Sequence, residues 1–352
     1  MADLFENPLG TDGFEFVEYA AHDGAALRGL FAALGFHVWA KHKKRDIALY
    51  RQGDIIFALN EEKTGFSFDF SAKHGPCASA MGFRVKDADF AYKGTLAKGA
   101  TAVDADDRII NAPCIEGIGG SRLYLVDRYG DDKIWFDDYE VLEGAGPGDN
   151  EAGLTYLDHL THNVYRGNME KWGKFYEDLF NFRQIRYFDI EGKLTGLVSK
   201  AMTSPCGLIR IPINESQDEI SQIAEYLNEY NGEGIQHIAL GTDDIYKTVD
   251  LLRGNGVDFQ DTIDSYFDLI DERLPGHGED VAELQSRNIL IDGAPTEGQG
   301  LLLQIFTKNV IGPIFFEIIQ RKGNEGFGEG NFQALFDSIE LDQVRRGVIS
   351  AE

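Results

Sequence analysis

The chain has 352 residues, 43% hydrophobic and 12% aromatic, which is enough apolar material for sizeable cores and excludes a disordered protein. It carries 59 acidic against 33 basic side chains, a formal charge of −26, and so repels nucleic acid and anionic membrane as bulk partners. The length exceeds one ordinary core and predicts two domains.

Residues Met1 to Glu6 hold no basic-then-apolar leader pattern, and no run reaches the roughly 18 apolar residues of a membrane span. Cys77, Cys114 and Cys206 are too few and too scattered for a disulfide framework or a zinc knuckle. A reducing, cytoplasmic setting is the expectation.

In chain order, a strand over Phe14–Tyr19 leads to a helix over Ala25–Leu34, stopped by Gly35, then to strands at Ile47–Arg51 and Ile55–Leu59. A second unit starts at strand Met81–Val85, passes into helix Ala88–Ala97 with Gly99 at its end, and continues with strands Arg122–Val126 and Lys133–Phe136. The second half repeats this order. Strand Leu157–Val164 precedes helix Glu170–Phe180 and strands near Gln184–Phe188, Gly196–Lys200 and Gly207–Ile213. Strand Ile235–Gly241 then precedes helix Ile245–Arg253 and strands Leu301–Phe306 and Ile314–Ile319. The Gly/Pro-rich stretch 143–149 reads as the linker between a domain at 1–149 and one at 150–352. Four βαβββ-type units, two per domain, follow from this self-similarity. An amphipathic tail helix is expected over Phe332–Val344, from Phe332, Leu335, Phe336 and Ile339.

Of eight histidines, His22, His37, His42, His74 and His277 lie in polar or loop contexts and read as solvated. His159 and His162 sit in a strand, where odd spacing sends them to opposite faces, so one of them faces a cup between strands. His237 lies in another apolar strand. On the strand around Phe315–Gln320, Glu317 shares a face with Phe315 and Ile319, where an unpaired carboxylate is costly. The plainer alternative is an edge strand with Glu317 turned to water. Aligning the halves places His159 near Phe16, His237 near Ala80 and Glu317 near Phe136. One cup then carries His, His and Glu on three strands, and the other carries apolar residues. Two histidines and a carboxylate match the facial arrangement of non-haem Fe(II) oxygenases, with zinc or manganese hydrolysis as the competing chemistry on the same ligands.

Several stretches carry a resemblance. They are DHLTHNVYRG from Asp158, FNFRQIRYFDI from Phe180, NGEGIQHIAL from Asn231, LLLQIFTKN from Leu301, GPIFFEIIQRKG from Gly312 and GFGEGNFQALFDSIE from Gly326. On these the chain closely resembles the bacterial 4-hydroxyphenylpyruvate dioxygenase family of the vicinal-oxygen-chelate superfamily, over essentially its whole length. The resemblance implies an α+β fold in which paired βαβββ modules form open barrels, a first domain without metal, a metal-bearing second domain, and a closing C-terminal helix at about 331–345. It implies Fe(II) on His159, His237 and Glu317, with His162 not a ligand. Pocket positions fall on Ser199, Asn214, Gln222 and Gln304 for the polar groups, and on Phe306, Phe315, Phe327 and Phe332 for the ring, with Phe315 and Phe332 on its two faces. Gln236 matches a pocket-associated position as well, although strand alternation puts it opposite His237. The implied reaction converts 4-hydroxyphenylpyruvate and O2 to homogentisate and CO2 in tyrosine and phenylalanine breakdown, by a homodimer or homotetramer. The alternatives are a hydroxymandelate synthase on the same substrate and a non-catalytic aromatic-acid binding protein.

Overall fold

The structure is a computed structural model that describes residues 3–143, 152–191, 196–217 and 221–331, together with Ala334. The expected linker at 143–149 falls almost wholly outside the described residues, as do Phe332 and nearly all of the expected tail helix.

The strands are β1 (Phe14–Ala20), β2 (His37–His42), β3 (Ile47–Gln52), β4 (Ile55–Asn60), β5 (Cys77–Arg84), β6 (Cys114–Glu116), β7 (Arg122–Val126) and β8 (Tyr139–Val141) in the first half. The second half has β9 (Leu154–Val164), β10 (Arg183–Glu191), β11 (Gly196–Thr203), β12 (Arg210–Ser216), β13 (Gly234–Thr242), β14 (Leu290–Gly293), β15 (Leu301–Phe306) and β16 (Phe315–Lys322). They make two eight-stranded sheets, ordered β6-β7-β5-β1-β4-β3-β2-β8 and β10-β11-β12-β9-β13-β16-β15-β14. Each half is built around one strand with a parallel neighbour on one side and an antiparallel neighbour on the other. For β1 these are β4 and β5, and for β9 they are β12 and β13. β5 then runs parallel to β7, and β13 parallel to β16. Parallel pairing needs long crossovers, and the helices supply them. Helix Met169–Phe180, for example, buries Met169, Trp172, Tyr176, Leu179 and Phe180 along one stripe and stops at Asn181, which takes the left-handed conformation at φ 58°.

The duplicated order expected from the sequence is therefore present, with local corrections. Lys133–Phe136 is a helical turn and not a strand. Its apolar residues look strand-like, but Trp135 is fully buried and donates through Nε1 to Glu15 at 2.9 Å, which coils the segment onto the sheet. The helices Phe66–His74 and Gln222–Tyr230 were not expected. The second is written plainly in Ile223, Tyr226, Leu227 and Tyr230, spaced as one helical face, with Ser221 capping Ala224 N–H and Asn231 closing the end. His74 is not solvated. It is buried, its ring stacks on Tyr230 at 4.4 Å and meets Phe70 at a tilt at the same distance, and its Nδ1 lies 2.7 Å from the Tyr230 carbonyl.

One continuous core joins the halves. Phe316 of β16 packs near Tyr19 and Phe57 of the first sheet, at 6.5 and 5.9 Å between ring centres. Phe83 of β5 packs on Phe180 and Phe182 at 5.4 and 6.0 Å. Because alternate residues on a strand face opposite ways, Phe316 in the shared core leaves Phe315 and Glu317 on the other face of β16.

Candidate metal centre

Three neighbouring strands bring His159 (β9), His237 (β13) and Glu317 (β16) together. Along the ladders Ala239 is the partner of both His159 and Glu317, and His237 is the partner of Phe315. The ligand atoms of the three all lie within 4.8 Å of one another, the one such group among the described residues. His159 Nε2 is 3.1 Å from Glu317 Oε2, His237 Nε2 is 3.5 Å from the same oxygen, and the two Nε2 atoms are 3.3 Å apart. His159 and Glu317 are buried, and the other oxygen of Glu317, Oε1, is buried without a hydrogen-bond partner.

Each histidine is oriented by the residue before it. His159 Nδ1 donates to Asp158 at 2.8 Å, and His237 Nδ1 lies 2.9 Å from Gln236 Oε1. Both Nε2 lone pairs are thereby turned inward. Strand alternation alone sends Gln236 to the far face, but the β9–β13 register shifts between Ile235 and His237, and that irregularity brings Gln236 back beside the ring. Thr161, two residues from His159 on the same face, places its Oγ1 2.9 Å from His237 Nε2. His162 faces the other way, buried, with Nε2 2.7 Å from the Tyr176 hydroxyl.

The electrostatics follow from close packing. Burial disfavours charge on Glu317, yet the His159 and His237 rings overcome it and hold the carboxyl below its ordinary range. Burial also opposes a proton on His159, but Glu317 and Asp158 outweigh it and raise the imidazole. Burial lowers His237. Burial likewise penalises the Asp158 carboxylate, yet Arg321 keeps it well below the usual range.

The geometry fits a divalent cation. Ligand atoms about 2.1 Å from one ion, on adjacent octahedral corners, stand about 3.0 Å apart. The observed spacings of 3.1, 3.3 and 3.5 Å are close to that. Two imidazole nitrogens and a carboxylate suit a first-row divalent metal, and a cation or its water would satisfy the unpartnered Glu317 oxygen.

Around the triad, Phe315 stacks on His237 at 4.9 Å, Phe306 meets Phe315 edge-on at 5.9 Å, and Phe327 meets His159 edge-on at 5.5 Å. Phe306, Phe315 and Phe327 are only half buried, so their rings line an opening. Gln304 is buried on β15 beside Ile319 of β16, with its Oε1 unpartnered, beneath Gly328. Ser199 and Asn214 are ladder partners on β11 and β12, one buried and the other half buried. Gln222 is the first residue of its helix and is exposed, so the structure does not bring it into contact with the triad as it does Gln236. The residues that sequence reasoning missed are Asp158, Thr161 and Arg321. Asp158 and Arg321 lie 163 positions apart, and only the paired strands bring them together.

The duplication explains the other half. In the ladders Phe16 and Tyr124 are both partners of Gly82, as His159 and Glu317 are of Ala239. Ala80 stands where His237 does. The position equivalent to Glu317 is thus Tyr124 and not Phe136, because Phe136 lies on the helical turn after β7. Phe16 packs on Tyr124 and Trp135 at 5.4 and 5.3 Å in a closed apolar cluster, so the first cup is filled.

Comparison with known proteins agrees with this architecture. Residues 5–140 match the family described as "Hydroxyphenylpyruvate dioxygenase, HPPD, N-terminal", and residues 156–269 match the "Glyoxalase/Bleomycin resistance protein/Dioxygenase superfamily". The chain is 60% identical over 348 residues to a 4-hydroxyphenylpyruvate dioxygenase of Pseudomonas aeruginosa, covering 97% of each. It is 58% identical over 351 residues to hemolysin VllY of Vibrio vulnificus, covering 98% of each. In fold it is similar to a mutant 4-hydroxymandelate synthase from Streptomyces coelicolor, with a TM-score of 0.80 at 24% identity, over 95% of this chain and 100% of that one.

Proposed function

The chain belongs to the 4-hydroxyphenylpyruvate dioxygenase family, with the vicinal-oxygen-chelate fold, and on that premise we propose that it uses Fe(II) to convert 4-hydroxyphenylpyruvate and O2 to homogentisate and CO2. The observation that carries the reading is the convergence of His159, His237 and Glu317. These three residues would hold the metal, and with two neutral rings and one carboxylate they leave a divalent ion with positive charge for an anionic 2-oxo acid. When bound, Fe(II) supplies the binding and activation of O2 and the chelation of the 2-oxo acid.

The protein's part is orientation and exclusion of water. Asp158 and Gln236 fix the ring tautomers so that both Nε2 atoms face inward. Phe315 and Phe327 present ring faces and edges to an aromatic substrate, with Phe306 behind Phe315. Phe332 is assigned to the same wall from the family resemblance. The unpartnered side-chain oxygen of Gln304 supports a role in accepting from the substrate's phenol or from a bound water. By the family resemblance, Ser199, Asn214 and Gln222 are assigned to hydrogen-bonding the substrate's polar ends or to ordering the groups around them, Gln222 from its exposed position at the start of its helix. In this reading residues 150–352 form the catalytic domain and 1–149 its structural partner.

The same reading places the protein in tyrosine and phenylalanine breakdown, in the cytoplasm, as a homodimer or homotetramer. Its three cysteines are buried and unbridged, which suits a reducing compartment. The second sheet ends on the nine-residue strand β10 with Ile185 and Tyr187 exposed, a surface suited to a second copy.

Product analysis tests the reaction. The chain is purified without oxygen, loaded with Fe(II), and given 4-hydroxyphenylpyruvate and air. Homogentisate with CO2 release is expected. Hydroxymandelate would move the assignment to the synthase, and iron binding without turnover would favour a binding protein.

A further inference from the structure

The charge that steadies His159 and the charge that holds the segment after β16 belong to one guanidinium. Asp158 is fully buried and accepts from His159 Nδ1 at 2.8 Å. Its two oxygens also accept from Arg321, from Nε at 2.7 Å and from Nη2 at 2.8 Å, a two-pronged pairing that suits the planar fork of arginine. Arg210 adds a longer contact to Asp158 at 3.5 Å. The remaining nitrogen of Arg321, Nη1, donates to the carbonyls of Asn324 at 3.0 Å and Gly326 at 2.7 Å. Those carbonyls belong to the turn that presents Phe327. The Phe327 ring centre is 5.8 Å from the Arg321 guanidinium carbon, and the ring sits edge-on to His159 at 5.5 Å. One planar group, 92% shielded from solvent, thus touches the support of a metal-ligating histidine on one side and the backbone of the pocket wall on the other.

We propose that Arg321 is a positioning residue that couples the metal centre to the pocket wall, orienting His159 through Asp158 and seating the 324–328 turn, so that metal binding and seating of Phe327 favour each other. This rests on the metal reading of His159, His237 and Glu317. A cation on Nε2 makes the Nδ1–H a stronger donor to Asp158 and stiffens the position of the guanidinium. A stiffer guanidinium holds the Asn324 and Gly326 carbonyls more firmly. The coupling runs equally in the other direction, because linkage between two binding equilibria is reciprocal.

The test uses the full chain and Co(II), and needs no turnover. Co(II) affinity is measured by visible absorption, and amide exchange of a peptide spanning residues 324–331 is followed by mass spectrometry with and without the ion. In the unaltered chain Co(II) should slow exchange of that peptide by about tenfold. In R321Q, Co(II) affinity should fall roughly 10- to 100-fold and the slowing should vanish. R321K keeps a charge beside Asp158 but lacks the fork. It should lose less affinity than R321Q and still lose the slowing, and it decides the matter alone if R321Q does not fold. Slowing retained in R321K, or Co(II) affinity unchanged in a folded R321Q, overturns the proposal. Failure of the unaltered chain to bind Co(II) at all overturns the metal reading instead.

Discussion

His162 offers a measurement that separates a core histidine from the candidate ligand three residues earlier. It is fully buried, its Nε2 is held by the Tyr176 hydroxyl, and burial pushes its pKa from the ordinary 6.5 down to about 3. The folded chain therefore keeps this ring neutral, while the unfolded chain protonates it below pH 6.5. A histidine with a depressed folded pKa contributes stability that is full above its unfolded pKa and is lost as pH falls from there toward the folded value. At pH 4.5 two pH units have been crossed, which amounts to about 2.7 kcal/mol from this one group. The perturbation is His162→Gln, which keeps an acceptor for Tyr176 and removes the titration. Urea midpoints are compared at pH 7.5 and 4.5 for both proteins. Every other titrating group is common to the two, so the difference between their pH dependences isolates His162. The variant should lose about 2.7 kcal/mol less than the parent between those pH values, and its Co(II) affinity should be unchanged, because the ring faces away from His159. Equal pH dependence in the two proteins would show that His162 is not held neutral. Loss of Co(II) binding would show that the strand faces are wrongly assigned.

Substitution of any ligand, by His159→Ala, His237→Ala or Glu317→Gln, should abolish turnover and Co(II) binding while leaving the far-ultraviolet circular dichroism unchanged. Near-native activity in any one of them removes that residue from the ligand set. Gly328→Ala should impair the pocket wall, because Gly328 has φ +74° and an added Cβ would stand 2.1 Å from Gln304 Oε1. A left-handed alanine costs about 1 kcal/mol before that clash is counted, so kcat/KM for 4-hydroxyphenylpyruvate should fall about tenfold, and an unchanged value would refute the seating of this turn over Gln304.

Much of this was legible in the sequence because duplication writes the same order twice. Strands rich in β-branched and aromatic residues, with glycines at the helix ends, located β1, β5, β9, β13 and β16, and alternation separated His159 from His162. Other features depend on events that no local pattern records. The β9–β13 register shift returns Gln236 to the side of His237, against simple alternation. Trp135 coils Lys133–Phe136 by reaching Glu15, which is 120 positions away. His74 lies in a short helix whose own residues give no sign that Tyr230 of the other half will cover it. Helix Gln222–Tyr230 differs from these, since its apolar spacing was present and its many polar residues obscured it.

The filled first cup has a consequence for how the two halves respond to change. Phe16 and Ala80 only occupy space, so volume-conserving apolar exchanges at those two positions remain open to drift or to design, whereas Tyr124 also accepts the Ile109 N–H at 3.2 Å. As metal ligands, their counterparts His159, His237 and Glu317 would answer to donor identity, ring orientation and distance at once. On the proposed function, one repeated strand order thus serves as ballast in one copy and as instrument in the other. Because Phe316 packs against Tyr19 and Phe57 from the face opposite Glu317, the first sheet sets the footing of the strand that carries Glu317.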